Sequence, residues 1–237
     1  MGRIFQTRKQ TMFKRYAKMA KAFTRLGKDI AMAVKVGGPN PDTNARLRII
    51  IQNAKAVNMP KVNVDSAIKR ASDKDTANYE EMIYEGYGPH GVPVLVECTT
   101  DNPTRTVANL RMHFSREGGS LGTNGSVSFM FDRKVLFKIS SVGLNHEETE
   151  FEFIDFGGEE FTWDDETNEL IIQTPFAEFG NMQKGLEDKK IEIIETSKTF
   201  VTNTHKELSD EQELDLKKLI DRFDEDEDVV AVYHNAQ

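Results

Sequence analysis

The chain has one cysteine, Cys98, among 237 residues. That excludes an internal disulfide and a zinc site built on paired cysteines, and it fits a reducing compartment. No run of eighteen apolar residues occurs, so no segment reads as a membrane-spanning helix. The basic N-terminus lacks the apolar core and small-residue cleavage site of a secretory signal. Gln6 stands where a myristoylation signal wants Ser or Thr. Histidines 90, 113, 146, 205 and 234 are scattered without metal-ligand spacing. No Ser/His/Asp arrangement can be argued. The stretch Gly118-Gly119-Ser120-Leu121-Gly122 through Ser126 lacks the Gly-Lys-Ser/Thr ending of a P-loop and leads towards a strand rather than a helix. A glycine loop that packs closely, or that touches an RNA backbone, is the better reading. The expectation is a protein without enzymatic activity, metal or cofactor, and cytoplasmic.

Negative charge dominates, with a net of −8, but its distribution is uneven. Residues 1–78 carry 17 Lys+Arg against 5 Asp+Glu, and the remainder 14 against 34. Such asymmetry points to nucleic-acid or membrane contact by the basic part. Arg3, Arg8, Lys9, Lys14, Arg15, Lys18, Lys21, Arg25 and Lys28 all precede the first acid, Asp29. Solvated helix faces normally mix both signs, so this run reads as a phosphate-binding surface that gains affinity by displacing condensed counterions. Arg46, Arg48, Lys55, Lys61, Lys69 and Arg70 extend it, although some of these stems could simply cover apolar surface. DNA and ribosomal RNA attract such a surface equally. Residues 139–183, by contrast, hold twelve acids and no Lys or Arg. They read either as a solvated face that repels nucleic acid or as a docking face for a basic partner such as a ribosomal protein.

Periodicity divides the chain the same way. Phe13, Tyr16, Met19, Ala20, Phe23, Leu26, Ile30 and Val34 predict one amphipathic helix from Met12 to Val36, stopped by Gly37-Gly38-Pro39. A second is expected from Thr43 or Asn44 to Val57. A third should start with Asn63 as its cap and Asp65 in its first turn, and run to Ala71. Asp73 to Asn78 reads as a linker. Beyond it, strands are expected at Val92–Cys98, Ser126–Phe131, Val135–Ile139, Glu160–Trp163, Glu169–Thr174, Ile191–Thr196, Phe200–His205 and Val229–His234. Helices are expected from Asn102-Pro103 to Arg116, near Glu147–Phe156, over Phe176–Asp188, and from a capping box at Ser209 and Gln212 to Phe223. The order from Val135 to Thr196, β-α-β-β-α-β, is a ferredoxin-like unit. The flanking β-α-β pieces would form a second one around it. The fold class is therefore α+β, with a basic helical domain over 1–79, an α/β domain over 80–134 and 200–237, and an acidic α/β domain inserted over 135–199. Where the first body strand meets its helix, Thr100, Asn102, Thr104 and Arg105 could hold an anion on free backbone N–H groups. The plainer reading is that Asn102 caps the helix.

Several motifs together carry a resemblance: Gly37-Gly38-Pro39 through Asn53-Ala54-Lys55-Ala56, Asn58-Met59-Pro60-Lys61, Ala67-Ile68-Lys69-Arg70, Tyr84-Glu85-Gly86-Tyr87-Gly88-Pro89, Thr100-Asp101-Asn102 with Arg105-Thr106-Val107-Ala108, Gly118-Gly119 through Phe131, and Val232-Tyr233-His234-Asn235. The chain resembles the YebC family along nearly its whole length. That resemblance implies three domains, a helical one and two α/β ones, in a monomeric bacterial protein. It implies a transcriptional regulator that binds DNA, and it also connects the chain to the mitochondrial translational activator of cytochrome oxidase and to relatives linked to the ribosome. Many members begin with a His-Ser-Lys-Trp segment, whereas Met1-Gly2-Arg3-Ile4-Phe5 stands here, so that segment's contacts do not carry over.

Charge reversal of Lys14, Arg15, Lys18 and Lys21 to Glu is expected to abolish binding to a polyanion. Neutralising roughly six phosphates would give a log K versus log salt slope of about −5. A variant that keeps the wild-type slope in a salt titration would remove the first helix from the mechanism.

Overall fold

The computed structural model describes residues 3–73, 78–202 and 204–237, with side chains from Met19 onward. It divides into two compact units, Met1–Glu81 with Thr99–Asn102, and Met82–Cys98 with Pro103–Gln237.

The first unit is helical: α1 Arg3–Gly37, α2 Ala45–Ala56 and α3 Lys61–Ala71. Leu26, Ile30 and Val34 of α1, Leu47, Ile50 and Ala54 of α2, and Val64, Ala67 and Ala71 of α3 form one core. Helix α1 starts nine residues before the expected Met12, since no Pro or Gly interrupts Arg3 to Met12. Helix α3 starts at Lys61, two residues before the expected cap. Pro60, with φ −59°, presets the backbone, and its carbonyl accepts from the N–H groups of Asn63 and Val64. Asn63 is thus the third helical residue and Asp65 lies beyond the first turn. Of the expected linker, residues 74–77 lie outside the described residues.

One buried side chain sets the corner between α1 and α2. Asn44 caps α2 by accepting from Leu47 N–H at 3.0 Å. Its amide nitrogen donates to the carbonyls of Ala33 (2.8 Å) and Gly38 (2.9 Å) at the end of α1. Gly37 lies so close that an added Cβ would stand 2.7 Å from the Asn44 amide, and Gly38 turns with φ +81°. The Gly37-Gly38 pair is therefore required by the corner that Asn44 builds.

From residue 80 onward the chain forms two four-stranded sheets. One has the order β5-β6-β4-β7, from β4 Phe131–Ser140, β5 Glu160–Asp164, β6 Glu169–Pro175 and β7 Ile193–Thr202, with α5 His146–Ile154 and α6 Phe179–Asp188 between strands. This is the expected β-α-β-β-α-β unit, with β4 antiparallel to both β6 and β7. Its core includes Phe137, Ile139, Phe153, Ile172, Met182 and Leu186. The other sheet has the order β3-β1-β2-β8, from β1 Glu80–Tyr87, β2 Pro93–Thr100, the short β3 Ser120–Leu121 and β8 Val229–His234. Helices α4 Pro103–Arg116 and α7 Asp210–Glu225 bring Leu110, Phe114, Leu216, Leu219 and Phe223 to its core. Ser209 and Gln212 make the expected capping box at the start of α7.

Three strand expectations change. The chain forms β1, which local propensity does not predict because Glu80, Glu81, Glu85 and Gly86 are poor strand formers. The expected strand Ser126–Phe131 is a 3-10 turn over Ser128–Met130, and β4 begins only at Phe131. The expected strands 191–196 and 200–205 give one strand, β7 Ile193–Thr202, and residue 203 lies outside the described residues. Ser197, Lys198 and Thr199 pair with Leu136, Val135 and Lys134, and no Gly or Pro breaks the run. The β3-β1-β2-β8 sheet thus uses β1 and β3 where separate strands at 126–131 and 200–205 were expected.

Asn44→Ala is expected to lower stability by about 2–4 kcal/mol, because it removes a cap and leaves buried backbone groups unpaired. Urea denaturation of wild type and variant measures the difference.

Candidate nucleic-acid interface

The described cations of the first unit lie on three helices. Lys21, Arg25 and Lys28 recur at i, i+4 and i+7 on α1, along one stripe of the helix. Lys14 and Lys18 continue the spacing in the sequence, and the span from Lys14 to Lys28 is about 21 Å at 1.5 Å per residue. This stripe is opposite the apolar one that feeds the core through Leu26, Ile30 and Val34. The side chains of Arg3, Arg8, Lys9, Lys14, Arg15 and Lys18 lie outside the described residues.

Some described cations already have partners. Lys28 donates to the Thr99 carbonyl at 2.9 Å, and its ammonium lies 5.7 Å from the Tyr79 ring centroid. Lys35 donates to the Asn78 side-chain oxygen at 2.6 Å, Arg46 pairs with Glu81, and Arg70 donates to the Ser66 carbonyl at 3.3 Å. Lys21 and Arg25 also make interactions of their own. Arg48, Lys55, Lys61 and Lys69 are different: all four are exposed, and none makes a side-chain hydrogen bond or ion pair among the described residues. Arg48 and Lys55 are seven residues apart, two turns along one face of α2. An exposed cation with no internal partner can meet a phosphate without first giving up a carboxylate.

The candidate anion residues distribute otherwise. Thr100 is buried at the end of β2, and its hydroxyl accepts from Asn102 N–H at 2.9 Å. Thr100 and Asn102 belong to the first unit, Thr104 and Arg105 to the second. Asn102, Thr104 and Arg105 are exposed. Arg105 donates from Nη2 to Asp228 at 2.8 Å, and the same carboxylate oxygen accepts from the Thr106 hydroxyl at 2.9 Å. Asp226, nearby in sequence, accepts from Asn109 and meets His113 Nε2 at 3.2 Å. The turn from α7 into β8 thus supplies two carboxylates to the polar face of α4. An outside anion at Arg105 would compete with a buried internal one.

The glycine loop has a comparable explanation. Glu85, only 6% exposed, accepts from the backbone N–H groups of Gly125 (2.7 Å), Val127 (2.8 Å) and Ser128 (2.9 Å). Burial would raise its pKa, but the N–H groups of Val127, Gly125 and Ser128 outweigh it and hold the carboxylate below the ordinary glutamate value. Tyr87 adds a hydroxyl bond to the Ser126 carbonyl at 3.0 Å. The N–H groups that could cradle a phosphate are already filled by this chain's own carboxylate. They are also withdrawn from any strand ladder, which is why 126–130 is a turn. Sequence patterning does not assign Glu85 this part, because the N–H groups it gathers lie 40, 42 and 43 positions further along the chain.

In the acidic segment, cations reach in from its flanks: Lys134 to Glu159 (2.5 Å), Lys138 to Glu169 (2.7 Å) and Lys189 to Glu152 (2.6 Å). Among the described residues no group of three or more His, Cys, Asp or Glu is arranged to hold a metal, and no helix is long and apolar enough to cross a membrane.

Comparison with known proteins agrees with this architecture. Residues 3–74 match the TACO1/YebC protein N-terminal domain, and residues 79–236 match the TACO1/YebC second and third domain. The chain belongs to the TACO1/YebC family. A relative from Flavobacterium psychrophilum, named "probable transcriptional regulatory protein", is 54% identical over 237 residues, the full length of both chains. One of the same name from Cytophaga hutchinsonii is 53% identical, covering 99% of this chain and 98% of the relative. The crystal structure of a conserved hypothetical protein from Aquifex aeolicus has the same fold, with a TM-score of 0.76 and 34% identity over 92% of this chain and 90% of that one. At the level of the family, this is a regulatory protein.

Glu85→Gln is expected to destabilise the protein by about 1–3 kcal/mol at neutral pH, since one acceptor oxygen is replaced by a donor facing N–H groups. The contribution of the ionised carboxylate is complete above the ordinary value of 4.5 and is lost as pH falls through the lower folded value. Thermal melts from pH 7 downward should therefore show the gap between wild type and variant closing only below that ordinary value.

Proposed function

We propose that this protein is a non-enzymatic, nucleic-acid-binding regulator of gene expression, with DNA as its target and the helical first unit as its grip. The supporting observation is the set of exposed cations without internal partners among the described residues, Arg48, Lys55, Lys61 and Lys69, in a region that carries 17 Lys+Arg against 5 Asp+Glu. Phosphate contacts of this kind position a protein on a polyanion without reading its sequence. The stripe through Lys14, Lys18, Lys21, Arg25 and Lys28 supplies further contacts, as do Arg3, Arg8, Lys9 and Arg15, while Arg46 and Arg70 contribute less because Glu81 and the Ser66 carbonyl already hold them. The anion site expected at Thr100, Asn102, Thr104 and Arg105 has no part in this reading, because Asp228 already holds the Arg105 guanidinium. The names carried by the relatives favour transcription, and the action is that of a cytoplasmic monomer.

A second reading is favoured by the segregation of charge. In a translation factor the basic unit would meet ribosomal RNA, while the segment 139–183, with twelve acids and no Lys or Arg, would meet a basic ribosomal protein. Sedimentation of lysate through a sucrose gradient, with and without RNase, separates the two. Co-migration with ribosomes that RNase abolishes selects ribosomal RNA, while absence from ribosomal fractions with a footprint on promoter DNA selects DNA.

Replacing Arg48, Lys55, Lys61 and Lys69 together by Ala is expected to reduce the salt slope on duplex DNA by about 3.5, at roughly 0.9 for each phosphate no longer neutralised. Arg46→Ala, which removes a cation already paired with Glu81, should change it far less. Fluorescence anisotropy across a salt series measures both. An unchanged slope in the fourfold variant would overturn the grip assigned to α2 and α3.

A further inference from the structure

Helix α5 has an outer face that the fold does not use. Its inner face buries Thr149 and Phe153. On the opposite side Phe151 is 75% exposed and Ile154 is 56% exposed. The two are three residues apart and so adjacent on the helix surface. Single exposed apolar residues are ordinary, but two large ones side by side on a nine-residue helix are not accounted for by the core.

The charges around them define what could cover them. Glu147, Glu148 and Asp155 lie on the same face, and their side chains make no hydrogen bond or ion pair among the described residues. Acids nearer the body are partnered, Glu150 by Trp163 Nε1 at 2.7 Å and Glu152 by Lys189 at 2.6 Å. Folding stability explains part of this pattern, since Glu147 and Glu148 sit in the first turn, where negative charge suits the helix dipole. It does not explain Asp155, which occupies the C-terminal cap, where negative charge is unfavourable. Nor does it explain Phe151 and Ile154. An acidic surface repels nucleic acid and anionic lipid, leaving a cationic protein segment as the complementary occupant.

We infer that the outer face of α5 is a docking site for a Lys/Arg-rich amphipathic segment of another protein, which covers Phe151 and Ile154 with its apolar side and meets Glu147, Glu148 and Asp155 with its cations. The acids select the partner's charge, and the two apolar side chains anchor it. The inference rests on the protein-docking half of the second reading above and uses none of the cations of the first unit.

The chain contains a reporter for this site. Trp163, its one tryptophan, stacks on His146 with ring centroids 3.8 Å apart and bonds to Glu150. Both of those partners are α5 residues.

The test uses the full chain without nucleic acid and a labelled synthetic helix of about 18 residues, roughly five turns, with Leu along one face and Lys and Arg along the other. An oligolysine of equal charge without Leu is the comparator. The amphipathic helix should bind, shift the Trp163 emission, and keep measurable affinity at about 0.5 M salt, where exposed charges are screened. Phe151→Ser with Ile154→Ser should weaken it about ten-fold or more, and Glu147→Gln with Glu148→Gln and Asp155→Asn should flatten its salt dependence. Oligolysine should not distinguish wild type from the serine variant. An unchanged Trp163 emission in both unliganded variants would show that α5 is intact. Equal affinity of the amphipathic helix for wild type and the serine variant would overturn the inference, as would binding that leaves Trp163 unaffected. Neither outcome would alter the salt slope on DNA, so this failure is distinguishable from failure of the nucleic-acid reading.

Discussion

A polar group removed from water has to find a partner, and that requirement fixes the three joints on which this structure turns. Asn44 meets it between α1 and α2, taking one N–H from the new helix and giving two bonds to the end of the old one. Glu85 meets it in the loop before β4, gathering three backbone N–H groups. Asp228 meets it between α7 and β8, holding Arg105 and Thr106 of α4. Each side chain is buried and each joins segments that hydrophobic packing alone would leave free to slide. Apolar burial supplies most of the driving force, while these side chains select one arrangement from the many that bury similar area.

The same accounting sorts the cations. An arginine that closes a joint has a permanent counter-ion, as Arg105 has in Asp228. A lysine whose head reaches water without a partner keeps its full field for something outside. In the second unit, cations next to the acidic segment are drawn into it, as Lys134, Lys138 and Lys189 show. In the first unit the scarcity of carboxylates leaves Arg48, Lys55, Lys61 and Lys69 unclaimed among the described residues. The sign of a surface is thus decided partly by which residues are present and partly by which of them folding neutralises.

Much of the architecture is legible in the sequence because it rests on local rules. The apolar stripe of α1, the Asn102-Pro103 opening of α4, the Ser209–Gln212 capping box and the alternation in β5 and β6 all act within a few residues. Expectation and structure part where a distant residue overrides the local signal. Residues 126–130 look like a strand, but Glu85, far earlier in the chain, takes the N–H groups a ladder would need. Residues 191–205 look like two strands because Ser197, Lys198 and Thr199 are polar, yet β4 pairs with them throughout. The β1 strand is hidden by its own acids. The basic surface is legible as composition, but its pairing is not: Arg46 meets Glu81 and Arg105 meets Asp228 across 35 and 123 positions. Sequence alone does not divide the spoken-for cations from the unclaimed ones.

The β5-β6-β4-β7 sheet is entered at Phe131 and left at Thr202, and those two residues are paired across the ladder. Entry and exit are therefore neighbours, about 5 Å apart as antiparallel partners are. To the rest of the chain, everything between them is equivalent to a tight hairpin turn. The far end of such a cassette can vary in length without asking the other sheet to move, whereas its base is tied to that sheet where Phe200 packs on Tyr233 of β8.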